Sequence, residues 1–180
     1  LRNSAGLAFH PETSELWASQ NERDNLGDDL PAEELNILVP GGPIEHYGWP
    51  YCYEDGLPNP EYPDAQRCAG KVGPALEMQA HSAPLGMVFY DHEQFPVEYR
   101  GDLFMAFHGS WNRSERTGYK VVRVEVEDGQ PISYDDFATG WLTESGTVAG
   151  RPVAVEVGPE GSLYVSDDGT GRIWKIRWVG

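Results

Sequence analysis

The chain has 180 residues, enough for one domain with a sizeable core, and carries 13 basic against 29 acidic residues, a formal charge of −16. That excess of carboxylate argues against nucleic acid and against anionic membrane surfaces, both of which need a positive footprint. No apolar run approaches the ~20 residues of a membrane span, and no leader-like segment opens the chain, so any signal peptide is expected to have been removed or to lie outside this sequence.

With 21 glycines, 14 prolines and no long 3.6-residue apolar period, the chain reads as β-rich. The first element is an alternating strand pair in "GLAFHPETSELWASQNE" (6–22), and "LPAEELNIL" (30–38) then offers one or two helical turns. Cys52 and Cys68 follow, bracketing a Pro- and Asp-rich stretch that has no periodicity to hold it folded. A disulfide closing that loop adds on the order of 3 kcal/mol. It predicts an oxidising location, periplasmic or secreted; two free thiols in a reducing cytoplasm are the alternative. A second strand pair lies in "GMVFYDHEQFPVEYRGDLFMAFHGS" (86–110), followed by the strand "YKVVRVEV" (119–126). A third lies in "VAVEVGPEGSLYVSDDGTGRIWKI" (153–176), whose last strand runs through "RIWKIRW" (172–178). His10 and His92 fall in the turns of the first two repeats and read as surface residues.

Strand–turn–strand units recurring about every 65 to 80 residues suggest an all-β, β-propeller fold, with an ordinary β-sandwich as the alternative. The repeats predict about three four-stranded blades, roughly 1–80, 81–140 and 141–180, in a single domain over 1–180. Propellers close with four to eight blades, and three leave two open edges. The expectation is therefore a half propeller, completed by further blades or by a second copy.

The stretches "LRNSAGLAFHPETSELWASQNERDNLGDD", "YGWPYCY", "HSAPLGMVFY", "FHGSWNRSERTGYKVVRV" and "GRPVAVEVGPEGSLYVSDDGTGRIWKI" resemble the soluble sugar dehydrogenases that depend on pyrroloquinoline quinone (PQQ). The branch they are most similar to is that of the sorbosone, pyranose and aldose dehydrogenases. The resemblance covers nearly the whole chain but only the C-terminal half of the family's proteins. It implies a six-bladed propeller that binds PQQ with calcium, a quinoprotein that oxidises a sugar hydroxyl or aldehyde by hydride transfer to the quinone. The family's catalytic histidine lies in the other half, so no catalytic residue is expected in this chain.

PQQ carries three carboxylates and an ortho-quinone, which call for guanidinium groups and amide donors. By resemblance, Arg2 and Asn3 contact the cofactor, and Arg151 pairs with one of its carboxylates. Ala149 stands where the glucose dehydrogenases have a second arginine. The loop "HGSWNRS" (108–114) replaces a cofactor-binding lysine, and His108, Asn112 and Arg113 are its candidate contacts. Trp111 is read either as a stacking platform or as a buried residue between blades, and "NRS" is also a glycosylation sequon. His81 falls at a cofactor-contacting position. The resemblance places calcium on two consecutive backbone carbonyls, those of Glu22 and Arg23, with the register open by one residue because of an insertion near Thr13. Asp24, Asp28 and Asp29 are acidic neighbours, but their spacing is not that of a calcium loop.

Three functions are compatible with these residues. The first is the C-terminal half of a PQQ- and calcium-dependent sugar dehydrogenase. The second is a non-catalytic half propeller that self-associates, as a homodimer, into a binding scaffold. The third, a calcium-dependent propeller hydrolase, is disfavoured because arginines stand where it needs carboxylates.

Overall fold

A computed structural model describes residues 1–180, and its strands form three antiparallel sheets set side by side and a separate two-stranded one. In the first, β1 (Asn3–Phe9), β2 (Leu16–Asn21) and β3 (Glu33–Leu38) run in order. A long loop then carries the hairpin β4 (Cys52–Tyr53) and β5 (Leu57–Pro58) and the single turn of helix α1 (Ala65–Cys68), before β6 (Leu76–Met78) completes the sheet. The second sheet is a meander of β7 (Pro84–Phe89), β8 (Leu103–Phe107), β9 (Lys120–Glu127) and β10 (Gln130–Ala138). The third has β11 (Pro152–Val157), β12 (Leu163–Asp167) and β13 (Arg172–Ile176).

Strand β7 packs beside both β1 and β11, so the first strand of each sheet lies innermost, as in successive propeller blades. Glycines permit that approach. A Cβ on Gly6 would collide with the Leu85 carbonyl, and one on Gly86 with Val153 and Ala154 of β11. The Gly6 N–H donates to Ser19 Oγ (2.8 Å), whose hydroxyl donates on to Leu85 O (2.9 Å), which ties the first blade to the second.

The continuous apolar run of β8 follows from its position. Leu103, Met105 and Phe107 pack toward the first blade with Trp17, Leu35 and Met78. Phe104 and Ala106 pack toward the third with Val155, Leu163 and Val165. All five β8 residues are fully buried, so neither face needs polar residues. The free flanks differ: Leu7 and Phe9 on the first blade and Ile173 on the third are exposed.

Three expectations are corrected. The segment 30–38 holds no helix; Glu33–Leu38 is a central strand, because Gln20 and Asn36 donate to the buried Glu34 carboxylate and let an acidic pair enter a sheet. The third sheet has three strands, β11, β12 and β13, rather than four. His10 is buried rather than on the surface: its ring lies edge-on to Phe89, and Nδ1 accepts from the Glu12 and Thr13 amides (3.2 Å each). His92 is half-buried and accepts from the Gln94 N–H in the matching turn of the next repeat.

Cys52 and Cys68 form a disulfide that pins the long loop. The loop covers the outer face of the first blade, where the Glu54 N–H donates to Glu34 (2.8 Å) and Arg23 pairs with Glu61 (2.8 Å). Replacing both cysteines with serine is expected to remove roughly 3 kcal/mol. For a chain of this size that lowers Tm by about 6–12 °C in calorimetry. Reductant should shift the wild type by the same amount and leave the double variant unmoved.

Candidate functional site

Antiparallel pairing gathers the start of each first strand and the end of each second strand at one end of the blades. Asn3 pairs with Asn21, Pro84 with Phe107 and Pro152 with Asp167. Arg2 and Asn3, His81 and Ala83, and Arg151 therefore occupy corresponding positions in three successive blades. A pocket of about 200 Å³ opens at this end between the first two blades. Arg2, Asn3, Asn21, Glu22, Asp24 and Glu33 form one wall, and His81, Ala83, Gly109, Trp111 and Asn112 form the other.

The two walls are tied together. Glu33 accepts from the Glu22 N–H (2.7 Å) on its own blade and from the Ala83 N–H (3.1 Å) on the next. Asn21 Nδ2 donates to Pro84 O (2.7 Å). His81 and Ala83 sit at positive φ (64° and 54°), a costly backbone for residues with a Cβ and one that clusters at ligand clamps. His81 Nε2 lies 2.8 Å from Gly27 O, which orients its ring.

Arg2 donates from one guanidinium nitrogen to both Asn21 O (2.9 Å) and Glu22 O (2.8 Å). Two carbonyls thus converge on a single cation. They lie one residue before the pair expected for calcium, and the Arg23 side chain turns away to Asn59 and Glu61. Burial, reinforced by the Glu34 charge, pushes the Glu22 carboxyl up to about 8. Burial likewise lifts Glu33 to about 7, outweighing its two backbone hydrogen bonds.

On the third blade, Arg151 donates from its backbone N–H to Asp167 Oδ1 (2.8 Å) and from its guanidinium to the Gly109 carbonyl (3.3 Å) on the pocket wall. Burial works to raise the Asp167 pKa. Hydrogen bonds from Arg151, Trp174 and Thr170 outweigh it and hold the group at about 2, a charged anchor for the Arg151 backbone.

Arg2, Asn3, Glu22, His81 and Asn112 are therefore brought together, and Arg151 reaches the same wall through Gly109. His108 and Arg113 are not. His108 lies 3.0 Å from Asp168 Oδ1. Arg113 donates to Asp28 O (2.5 Å) and Asp29 Oδ1 (2.9 Å), so its charge is already paired outside the pocket. Both polar atoms of the Asn112 amide are buried, which removes it as a glycosylation site. Trp111 is exposed rather than packed between blades. Glu33 and Asn21 were not singled out as site residues from the sequence; a carboxylate in a strand gives no sign of the amides it accepts from.

Several buried polar atoms here lack any partner: Glu22 Oε2, Asn112 Nδ2 and Oδ1, and Arg151 Nε. Unpaired polar atoms are rare in interiors, and each is costly unless something binds it. This one region thus presents amide donors and acceptors, two guanidinium groups and an unpaired carboxylate oxygen.

A family model described as TrAA12-like matches residues 57–179. The chain is 36% identical to an uncharacterised protein of Borreliella burgdorferi, covering 99% of this chain and 47% of that protein. It is 29% identical to the pyrroloquinoline quinone-dependent pyranose dehydrogenase of Coprinopsis cinerea, covering 98% and 30%. Among solved structures it is similar to the holo form of the PQQ domain of that pyranose dehydrogenase, with a TM-score of 0.78 and 25% identity over 99% of this chain and 54% of that one. The calcium structure of a Trichoderma reesei carbohydrate-active enzyme of family AA12 has a TM-score of 0.76 and 26% identity, over 96% and 51%. The chain spans about half the length of these solved structures and less than half of the two relatives.

Proposed function

The chain belongs to the TrAA12-like family, and from that premise we propose that it is the cofactor-holding half of a PQQ- and calcium-dependent sugar dehydrogenase. The observation that carries this reading is the set of unpaired buried polar atoms on and beside a pocket shared by successive blades. The donor set fits PQQ in kind. Arg2 and Arg151 bring guanidinium groups suited to carboxylates, and Asn112 brings an amide with neither polar atom engaged. Asn3 and His81 supply further polar contacts, and the Gly27 carbonyl fixes the His81 ring.

Calcium also fits in kind, since it prefers carbonyl and carboxylate oxygens. The Asn21 and Glu22 carbonyls and Glu22 Oε2 are its donors, and Arg2 competes for the same two carbonyls. A guanidinium released from them is available to a carboxylate. When bound, PQQ supplies a two-electron acceptor for oxidation of a sugar hydroxyl or aldehyde. The chain's own residues bind and orient; Glu22 and Glu33 hold protons near neutral pH, and the proton acceptor for the sugar is assigned to the remainder of the propeller. That remainder would cover the exposed Leu7, Phe9 and Ile173. The Cys52–Cys68 disulfide supports a periplasmic or secreted location.

Calorimetric titration of the folded chain with PQQ tests the reading. Saturable binding that calcium strengthens is the expected result. A folded chain that binds no PQQ with or without calcium overturns it, and a homodimer in light scattering of that sample would then favour the scaffold.

A further inference from the structure

The first wall of the pocket is braced from behind by the long loop of the first blade, which contributes no residue to the pocket itself. Arg23 directly follows the Asn21 and Glu22 carbonyls, and its guanidinium turns away from them into that loop. There it donates to Asn59 Oδ1 (3.1 Å) and Glu61 Oε1 (2.8 Å) and reaches Tyr53 Oη at 3.5 Å. Its Nε donates back to Asp24 O (3.3 Å), so one side chain fixes both the loop and the turn that leaves β2. Tyr53 and Asn59 are fully buried, and Asn59 Nδ2 is anchored on Pro50 O (2.6 Å).

A second connection crosses the strands. The Glu54 N–H and Gln20 Nε2 both donate to the Glu34 carboxylate (2.8 Å each), and Gln20 Nε2 also donates to the Glu22 carboxylate. The Arg2 N–H donates to Gln20 Oε1 (2.8 Å). The position of the loop is thus passed to Glu22 twice, along the backbone from Arg23 and across the sheet through Glu34 and Gln20.

The loop has little regular structure of its own, only two two-residue strands and one helical turn. Segments of that kind open locally at small cost unless something else holds them. Here the disulfide does so. Tyr53, Glu54, Asn59 and Glu61, the loop residues that bond Arg23 and Glu34, all fall between Cys52 and Cys68. Cys52 is buried, whereas Cys68 is half-buried in α1 among exposed residues.

We propose that this loop is a thiol-sensitive latch on the pocket, with Arg23 as its positioning residue. While the disulfide is closed, the Asn21 and Glu22 oxygens are held in place for a divalent cation, and opening it releases them. The inference rests on the dehydrogenase reading in taking those oxygens as calcium's. A dithiol opens the latch. Its thiolate attacks Cys68 Sγ, the S–S bond breaks and Cys52 leaves as the thiolate. The reagent's second thiol then displaces Cys68, so the protein gains two electrons and two protons and the reagent becomes a cyclic disulfide.

The test titrates calcium by calorimetry into the oxidised chain, the dithiol-reduced chain, Arg23→Ala and Arg23→Lys, each at a temperature where it is folded. Amide exchange is followed on the same samples without ligand. Reduction and Arg23→Ala should each weaken calcium binding about tenfold or more, and Arg23→Lys by less. Reductant should add little to Arg23→Ala, because both changes act through the same contacts. Exchange at the Glu22 N–H, which Glu33 holds, should quicken on reduction while the β8 amides stay protected. Equal calcium affinity in the oxidised and reduced chains overturns the inference. So does exchange that quickens equally in β8, which is a general loss of stability. If the reduced chain does not fold, Arg23→Ala with its disulfide intact decides by the same readouts. An oxidised chain that binds neither calcium nor PQQ overturns the dehydrogenase reading instead. The latch then stands if reduction quickens Glu22 and spares β8, and falls if it does not.

Discussion

Arg151→Ala is expected to weaken PQQ binding about 30- to 100-fold, the loss of roughly 2–3 kcal/mol that a charge-assisted contact to a carboxylate contributes. The same change should barely alter the melting temperature. Without ligand, the Arg151 guanidinium makes one long hydrogen bond, to Gly109 O at 3.3 Å, and its buried Nε has no partner. Its other contact is the Tyr119 ring, 5.9 Å from the guanidinium carbon, worth about 0.5–1 kcal/mol. The fixed part of the residue is its backbone, held by Asp167, and alanine keeps that N–H. A half-buried side chain that contributes little to the folded state can be removed without unfolding the chain, so a loss of affinity would report on a ligand contact. Arg172→Ala provides the comparison, since it removes an equal charge from an exposed site on β13, stacked on Trp174. If both variants lose the same affinity, the effect is net charge rather than a contact. Calorimetric titration with melting curves on the same samples separates the two.

The fold was legible where a residue's surroundings are its own neighbours in sequence. The run "LFMAF" reads as a strand, and it is one, buried on both faces because blades flank β8 on either side. The same logic failed at 33–38. Acidic residues ordinarily mark a solvated face, and the apolar spacing of "LPAEELNIL" is equally consistent with a helix. Donors from elsewhere in the chain, Gln20 of β2 and the Glu54 N–H of the long loop, join Asn36 in making Glu34 tolerable inside a sheet. His10 was misread for a related reason: its turn is at the surface, yet the ring is drawn inward by Trp17 and Phe89.

The site divides in the same way. Arg2, Asn3, His81 and Arg151 were singled out by resemblance, and the blades gather them because each stands at or just before the first strand of its sheet. Arg113 looked equally suitable within its own loop. Its destination depends on Asp29, 84 residues earlier in the chain, which no local pattern reveals. Glu33 escaped notice because its importance lies in two backbone amides on different blades.

Those buried carboxylates lead to the second large effect, a stability that falls as pH rises from about 5 to 8.5. In the unfolded chain glutamates ionise near 4.3–4.5. In the folded chain Glu22 keeps its proton to about 8 and Glu33 to about 7, and Glu34 is also raised, in each case chiefly by burial. Between these limits the native state binds more protons than the unfolded state, so its advantage is complete below pH ~4.5 and lost as the folded pKa values are passed. Asp167 and Glu160, each held at about 2, act only below this window. At about 1.4 kcal/mol per unit, the Glu22 and Glu33 shifts together correspond to roughly 8 kcal/mol at face value, so Tm is expected to fall by more than about 10 °C across this window. Glu22→Gln should flatten the curve and raise Tm at pH 8, since an amide needs no proton to remain buried beside Glu34. Calcium should act where the carboxylates are ionised, raising Tm more at pH 8 than at pH 6 because it binds the native state and neutralises Glu22. A pH-independent calcium effect in the wild type, or an undiminished one in Glu22→Gln, would place the ion elsewhere. A Tm flat across the window would mean that these carboxylates ionise in the folded state as freely as in water, and that the pocket is wetter than its geometry implies.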